Sequence, residues 1–113
     1  MIIHYKKRMI NVEAKRLSPL GKITGLMFKT RNTKNLLFEF KKDTRIRIHS
    51  VFVLFDFLAI WLDEKNKVID YRTVSPFTLS VQPKKEFRKL VEIPLNKKNT
   101  KIVKFFVGEE RFK

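Results

Sequence analysis

Residues 51–62 read VFVLFDFLAIWL, and Asp56 divides them into two pieces of strand length. Beyond the aspartate, Phe57, Ala59 and Trp61 alternate with Leu58, Ile60 and Leu62, so an extended segment here is apolar on both faces. Such a strand needs cover on both sides and belongs at the centre of the fold. The run is also too short, and too interrupted, for a membrane-spanning helix, which takes about 20 residues.

The neighbouring sequence supplies that cover. Residues 63–67, DEKNK, form a polar hairpin connection, and residues 68–74 return as a partner strand. Nearer the start, Ile10, Val12 and Ala14 alternate with Asn11, Glu13 and Lys15, the pattern of a half-buried strand. Residues 2–5 read as an earlier strand, joined to it through the basic turn Lys6-Lys7-Arg8. Ser18 suits a helix N-cap and Pro19 a first helical position. With Leu20, Ile23 and Met27 at helical spacing, this predicts one short helix from Pro19 to Leu26. Residues 29–35, KTRNTKN, are a polar loop, and residues 36–40, LLFEF, are a strand. Pro76 and Pro83 mark an edge or a loop. Residues 89–95 and 101–107 read as two further strands. The expectation is a single domain over residues 1–113, mainly β (α+β). Its sheet is a closed or nearly closed antiparallel barrel of about seven or eight short strands, because an open sheet this apolar would present an adhesive edge.

Charge sets the expectation for function. Lysine and arginine number 26 against 11 aspartates and glutamates, a net charge of +15. Self-repulsion on that scale usually goes with an anionic partner. Compositional drift toward lysine is the competing explanation, but heat-adapted chains gain glutamate along with lysine, and here the acids are scarce. The first fifty residues hold thirteen cations and three acids, the remainder thirteen and eight, so the charge leans toward the first half.

Several chemistries are not supported. No cysteine is present, which removes disulfides, thiolate catalysis and cysteine-based zinc sites. His4 and His49 are the sole imidazoles, with no metal-ligand spacing between them, and no glycine-rich phosphate loop occurs. No catalytic residue, metal or cofactor is nominated. The apolar residues of the N-terminus precede its basic cluster, unlike a signal peptide, so the expected location is cytoplasmic with no membrane partner.

The cations that converge best are Lys29, Arg31 and Lys34 on one loop and Arg45 and Arg47, which alternate with Ile46 and Ile48 on one face of an extended segment. Gathered on one rim, they would bind the phosphates of RNA or an RNA-containing assembly with little regard to sequence. The alternative is a small anionic ligand in a pocket near His49 and Ser50. Neighbours on a strand point to opposite faces, which argues against those two as a catalytic pair.

Three stretches carry a family resemblance. GLMF at positions 25–28 follows the Ser18-Pro19 start, LLFEF follows at 36–40, and IHSVFVLFDFLAIWLDEKNKVI spans 48–69. Pro76, the LVEI of residues 90–93 and Val107-Gly108-Glu109 continue the same order. The chain in this respect resembles the domain of unknown function 192 family. Where that family has a Pro-x-Asp pair, this chain has Asp56 and Leu58, and Val53 replaces the family's methionine. The resemblance implies a compact β-rich fold with a short helix near its start, and no defined activity.

Overall fold

Two sheets share the strands of the computed structural model, which describes residues 1–17, 26 and 29–108. The smaller is an antiparallel hairpin of β1 (Ile2–Tyr5) and β2 (Arg8–Asn11). The larger contains β3 (Lys15–Leu17), β4 (Leu36–Thr44), β5 (Phe57–Leu62), β6 (Val68–Val74) and β7 (Phe87–Pro94), in the order β3-β4-β7-β5-β6. A short 3-10 turn (Lys97–Asn99) then leads into helix α1 (Thr100–Val107).

All six residues of β5 are buried, as its doubly apolar pattern requires. It is an interior strand, but β7 takes the middle of the sheet. One face of the sheet presents Leu36, Phe38, Phe57, Ala59, Trp61, Phe87 and Leu90, covered by Leu26, Val53, Phe55 and Val81. The opposite face presents Leu37, Leu58, Ile60, Leu62, Val91 and Ile93, covered by Ile3 and Val12 of the hairpin and Ile102 and Phe106 of α1. The hairpin that joins β5 and β6 forms at residues 63–67 as expected: Asp63 Oδ1 accepts from the backbone N–H of Lys65 and Lys67, and Asn66 takes the left-handed φ of 65°.

The sheet does not close. Its edges are β3 and β6, and β3 pairs with β4 in parallel, so it is not wholly antiparallel either. Closure is unnecessary because the edges are blunted by other means. The strand β3 is three residues long and carries Lys15 and Arg16, while β6 carries Asp70 and Arg72.

Residues 101–107 are also corrected. They form helix α1 rather than a strand. Asn96 Oδ1 accepts from Asn99 N–H and starts the turn; Ile102, Val103 and Phe106 then bury one side. Gly108, at φ 94°, ends the helix in a conformation that side chains disfavour. The β-branched and aromatic residues of this segment mimic a strand in composition, and the burial stripe decides otherwise. The helix expected from Pro19 to Leu26 lies, Leu26 apart, outside the described residues.

Residues 45–50 and 75–83 run side by side as a laced ribbon. Ile48 and Val81 exchange both backbone hydrogen bonds. Arg45 Nη2 donates to Pro83 O at 3.1 Å, and Arg47 Nη1 to Ser80 Oγ at 3.0 Å. Ser50 is the knot. Its Oγ donates to Ser75 O at 2.5 Å and accepts from Thr78 N–H at 2.6 Å, while its backbone bonds Thr78, Phe77 and Val53. The ribbon thereby holds Val53 and Val81 on the sheet.

Glu92 sits within the first apolar layer, opposite Leu36 on one side and Ala59 on the other. It is 6 % exposed and makes no hydrogen bond or ion pair among the described residues. Desolvation pushes its carboxyl up to about 7, from an ordinary value of 4.5. On the same face, Trp61 Nε1 is buried without a partner among the described residues.

Two outcomes follow from this packing. The stability that the neutral Glu92 allows is complete below pH 4.5 and is lost as the pH rises through about 7. Urea unfolding midpoints of the wild type should therefore fall over that window, by an amount on the order of 3 kcal/mol, and Glu92→Gln should flatten the profile. Ser50→Ala should cost about 2 kcal/mol by the same assay, because it leaves ribbon groups without partners; an unchanged midpoint would contradict the knot.

Candidate functional site

The parallel pairing of β3 with β4 brings residues 13–15 against the loop that enters β4. Lys15 N–H donates to Asn35 O at 2.8 Å, and Asn35 Nδ2 donates to Glu13 O at 2.9 Å. From the other side, the chain leaving β7 reaches the same loop: Asn96 Nδ2 donates to Arg31 O at 2.8 Å. Asn99 Nδ2 donates to Pro94 O at 2.7 Å and fixes the turn before α1. Asparagine suits these positions because its short amide can bond to nearby backbone while the chain turns.

These three segments enclose an open cleft of about 640 Å³. Lys15, Lys34 and Lys98 bring charge to it, and Asn32, Asn35, Asn96 and Asn99 bring uncharged donors and acceptors. Glu13 is the one acid in the lining. All three lysines are exposed, and among the described residues none is paired with an acid. Asn35 Oδ1 is buried and has no partner among the described residues. The ion pairs among the described residues lie elsewhere: Arg16 with Glu39 at 2.7 Å, and Arg88 with Asp43 at 3.1 Å and Glu64 at 3.7 Å.

The five cations nominated from sequence divide into two groups. Lys29, Arg31 and Lys34 lie on the loop before β4, and Lys34 lines the cleft. Arg45 and Arg47 follow β4 and are laced to Pro83 and Ser80. Between the two groups stands β4, which spans Glu92 to Phe87 of its neighbour β7. Five residue steps of a strand are about 17 Å. The groups therefore occupy opposite ends of the sheet instead of one rim.

His49 is exposed while Ser50 is fully buried, so the two side chains diverge as strand alternation suggests. The cleft described above is not lined by either residue. Ser50 Oγ has both a donor and an acceptor role filled within the ribbon. Among the described residues, no group of three or more His, Asp or Glu side chains could hold a metal ion.

Sequence reasoning missed Lys15, Lys98 and the asparagine set. Lys15 looks like the outer face of a strand, and Lys98 lies 83 positions away in the chain. Only the strand order brings them to one opening. The sole local signal was the recurrence of asparagine in both connecting segments, at Asn32 and Asn35 and again at Asn96 and Asn99.

The comparisons with known proteins agree with this architecture. Two solved structures are similar in fold: a protein of unknown function from Novosphingobium aromaticivorans, at TM-score 0.70 and 10% identity over 89% of this chain and 74% of that one; and a protein proposed as a transcription regulator from Sinorhizobium meliloti, at TM-score 0.69 and 12% identity over 82% and 76%. At such identities the likeness concerns the fold alone. In sequence, the chain is 33% identical over 78 residues to the UPF0127 protein TK1120 of Thermococcus kodakarensis, a match that takes in 67% of this chain. It spans about half of that relative, 49% of its length. The model of the DUF192 family, described as "Uncharacterized ACR", matches residues 2–104, and the chain belongs to that family.

Proposed function

We propose that this domain is a non-enzymatic binder of RNA, and that it meets the phosphate backbone at the cleft between β3, the loop before β4 and the start of α1. The reading is carried by the convergence of Lys15, Lys34 and Lys98, from three separate segments, on one open cleft, with no acid paired to any of them among the described residues. Arg31, whose backbone is tied to Asn96, extends the positive surface along the same loop.

An open cleft suits a strand that passes across it better than a ligand that must be enclosed. Lysine ammonium groups act as point charges toward phosphate and carry no base preference, so unrelated sequences should bind alike. The asparagines can add hydrogen bonds to sugar or base edges without adding charge. Nothing in the lining supplies a nucleophile with an adjacent base, which is why the reading stops at binding.

The experiment is a salt titration of binding to two unrelated single-stranded RNAs. Both should bind with a similar dissociation constant, and log affinity should fall linearly with log salt. Replacing Lys15, Lys34 and Lys98 together by glutamine should make the slope shallower by about 2, since each lost phosphate contact on a single strand removes roughly 0.7. Replacing Arg45 and Arg47 should leave the slope as it was. No binding in dilute salt, or an unchanged slope in the triple variant, would refute the reading.

A further inference from the structure

The end of the sheet away from the cleft carries a different surface. Leu54 is 62 % exposed and Leu79 is 82 % exposed, and Ile46, Phe52 and Phe77 are exposed beside them in sequence. All five belong to the ribbon knotted by Ser50 or to the turn that follows it. Large apolar side chains scattered singly over a surface need no explanation, but five on two laced segments do.

The backbone adds a second observation. Phe52 and Phe77 both take left-handed conformations, at φ 66° and φ 61°. For a bulky residue that is a strained conformation, which glycine or asparagine would adopt more readily. Strain of this kind gathers at binding and switch regions, where the surroundings hold it for a purpose.

Charge identifies the partner. Residues 44–54, TRIRIHSVFVL, and 75–85, SPFTLSVQPKK, contain Arg45, Arg47, Lys84 and Lys85 and no acid; Asp43, paired with Arg88, and Asp56 and Glu86 stand just outside them, and Asp70 Oδ2 accepts from Lys84 N–H. All four cations are exposed. Apolar tips bordered by cations match the boundary of an anionic lipid leaflet, where headgroups take the charge and acyl chains take the leucines. Single-stranded nucleic acid fits less well, because only Phe52 and Phe77 of the five offer an aromatic face on which a base could stack, and Ile46, Leu54 and Leu79 offer none.

We propose that this ribbon docks peripherally on anionic membranes, with Leu54, Phe77 and Leu79 entering the headgroup boundary and Arg45, Arg47, Lys84 and Lys85 holding the lipid phosphates. The site is independent of the RNA cleft.

The test is co-sedimentation of the full chain with vesicles of phosphatidylcholine alone and of equimolar phosphatidylcholine and phosphatidylglycerol. Binding should occur on the second and not the first. The double variant Leu54→Asp/Leu79→Asp should weaken it by about a hundredfold or more. Replacing both Arg45 and Arg47 by glutamine should weaken it by about thirtyfold. The indole introduced by Leu79→Trp should be quenched by brominated acyl chains, while the fully buried Trp61 serves as the internal control. RNA binding by the aspartate variant should match the wild type, which separates failure here from failure of the cleft reading. Vesicle binding untouched by the two aspartates, an unquenched indole, or self-association that the aspartates abolish without any vesicle binding would each overturn the proposal.

Discussion

The burial of β5 on both faces is the constraint on which the rest of the structure depends. A strand with six apolar residues in succession cannot sit at an edge or under a single layer. The hairpin of β1 and β2, with α1, supplies the cover on one face through Ile3, Val12, Ile102 and Phe106. The ribbon supplies part of the other through Val53 and Val81. Each covering element is short, and each is fastened by polar groups: the ribbon by Ser50, the approach to α1 by Asn96 and Asn99. The apolar sheet thus sets where these polar fasteners must be.

Glu92 is the exception within that layer. A carboxyl between Leu36 and Ala59 costs stability when ionised, and a glutamine of similar volume would avoid the cost. On the same face, Trp61 leaves an N–H without a partner among the described residues. The buried carboxyl and this unpartnered N–H contrast with the full satisfaction of Ser50 a short way off. The core is not optimised at this place, and the carboxyl titrates near neutrality as a result.

What could be read from the sequence followed the range of the signal. The hairpin of β5 and β6 was legible because its turn residues, Asp63 and Asn66, act within five positions. The LLFEF strand and the Val68–Val74 strand were legible for the same reason, through alternation. Residues 101–107 misled because Ile102, Val103 and Phe106 favour either a strand or one helical stripe, and only the Asn96 cap upstream selects the helix. The closed barrel was inferred from apolarity alone; it overlooked that Lys15, Arg16, Asp70 and Arg72 already protect the edges. The shared rim failed for a geometric reason. Positions 29–34 and 45–47 are close in number, but an intervening strand converts sequence proximity into distance. Conversely, Lys15 and Lys98 are remote in number and meet at one cleft.

The distribution of acids explains how one chain can carry two cationic ends. Arg16 neutralises Glu39, and Arg88 neutralises Asp43 and Glu64. Asp63 is occupied by the hairpin N–H groups, and Asp70 accepts from Lys84 N–H at 3.1 Å. Five of the eleven acids are thereby committed to strands and turns, and Glu92 is buried. Few acids remain to offset Lys15, Lys34 and Lys98 at the cleft, and none falls within the two ribbon segments. Charges at opposite ends of a sheet, separated by more than a Debye length of about 8 Å in physiological salt, repel one another only weakly. Holding the cleft lysines and the ribbon cations at the two ends of the sheet therefore limits their mutual repulsion.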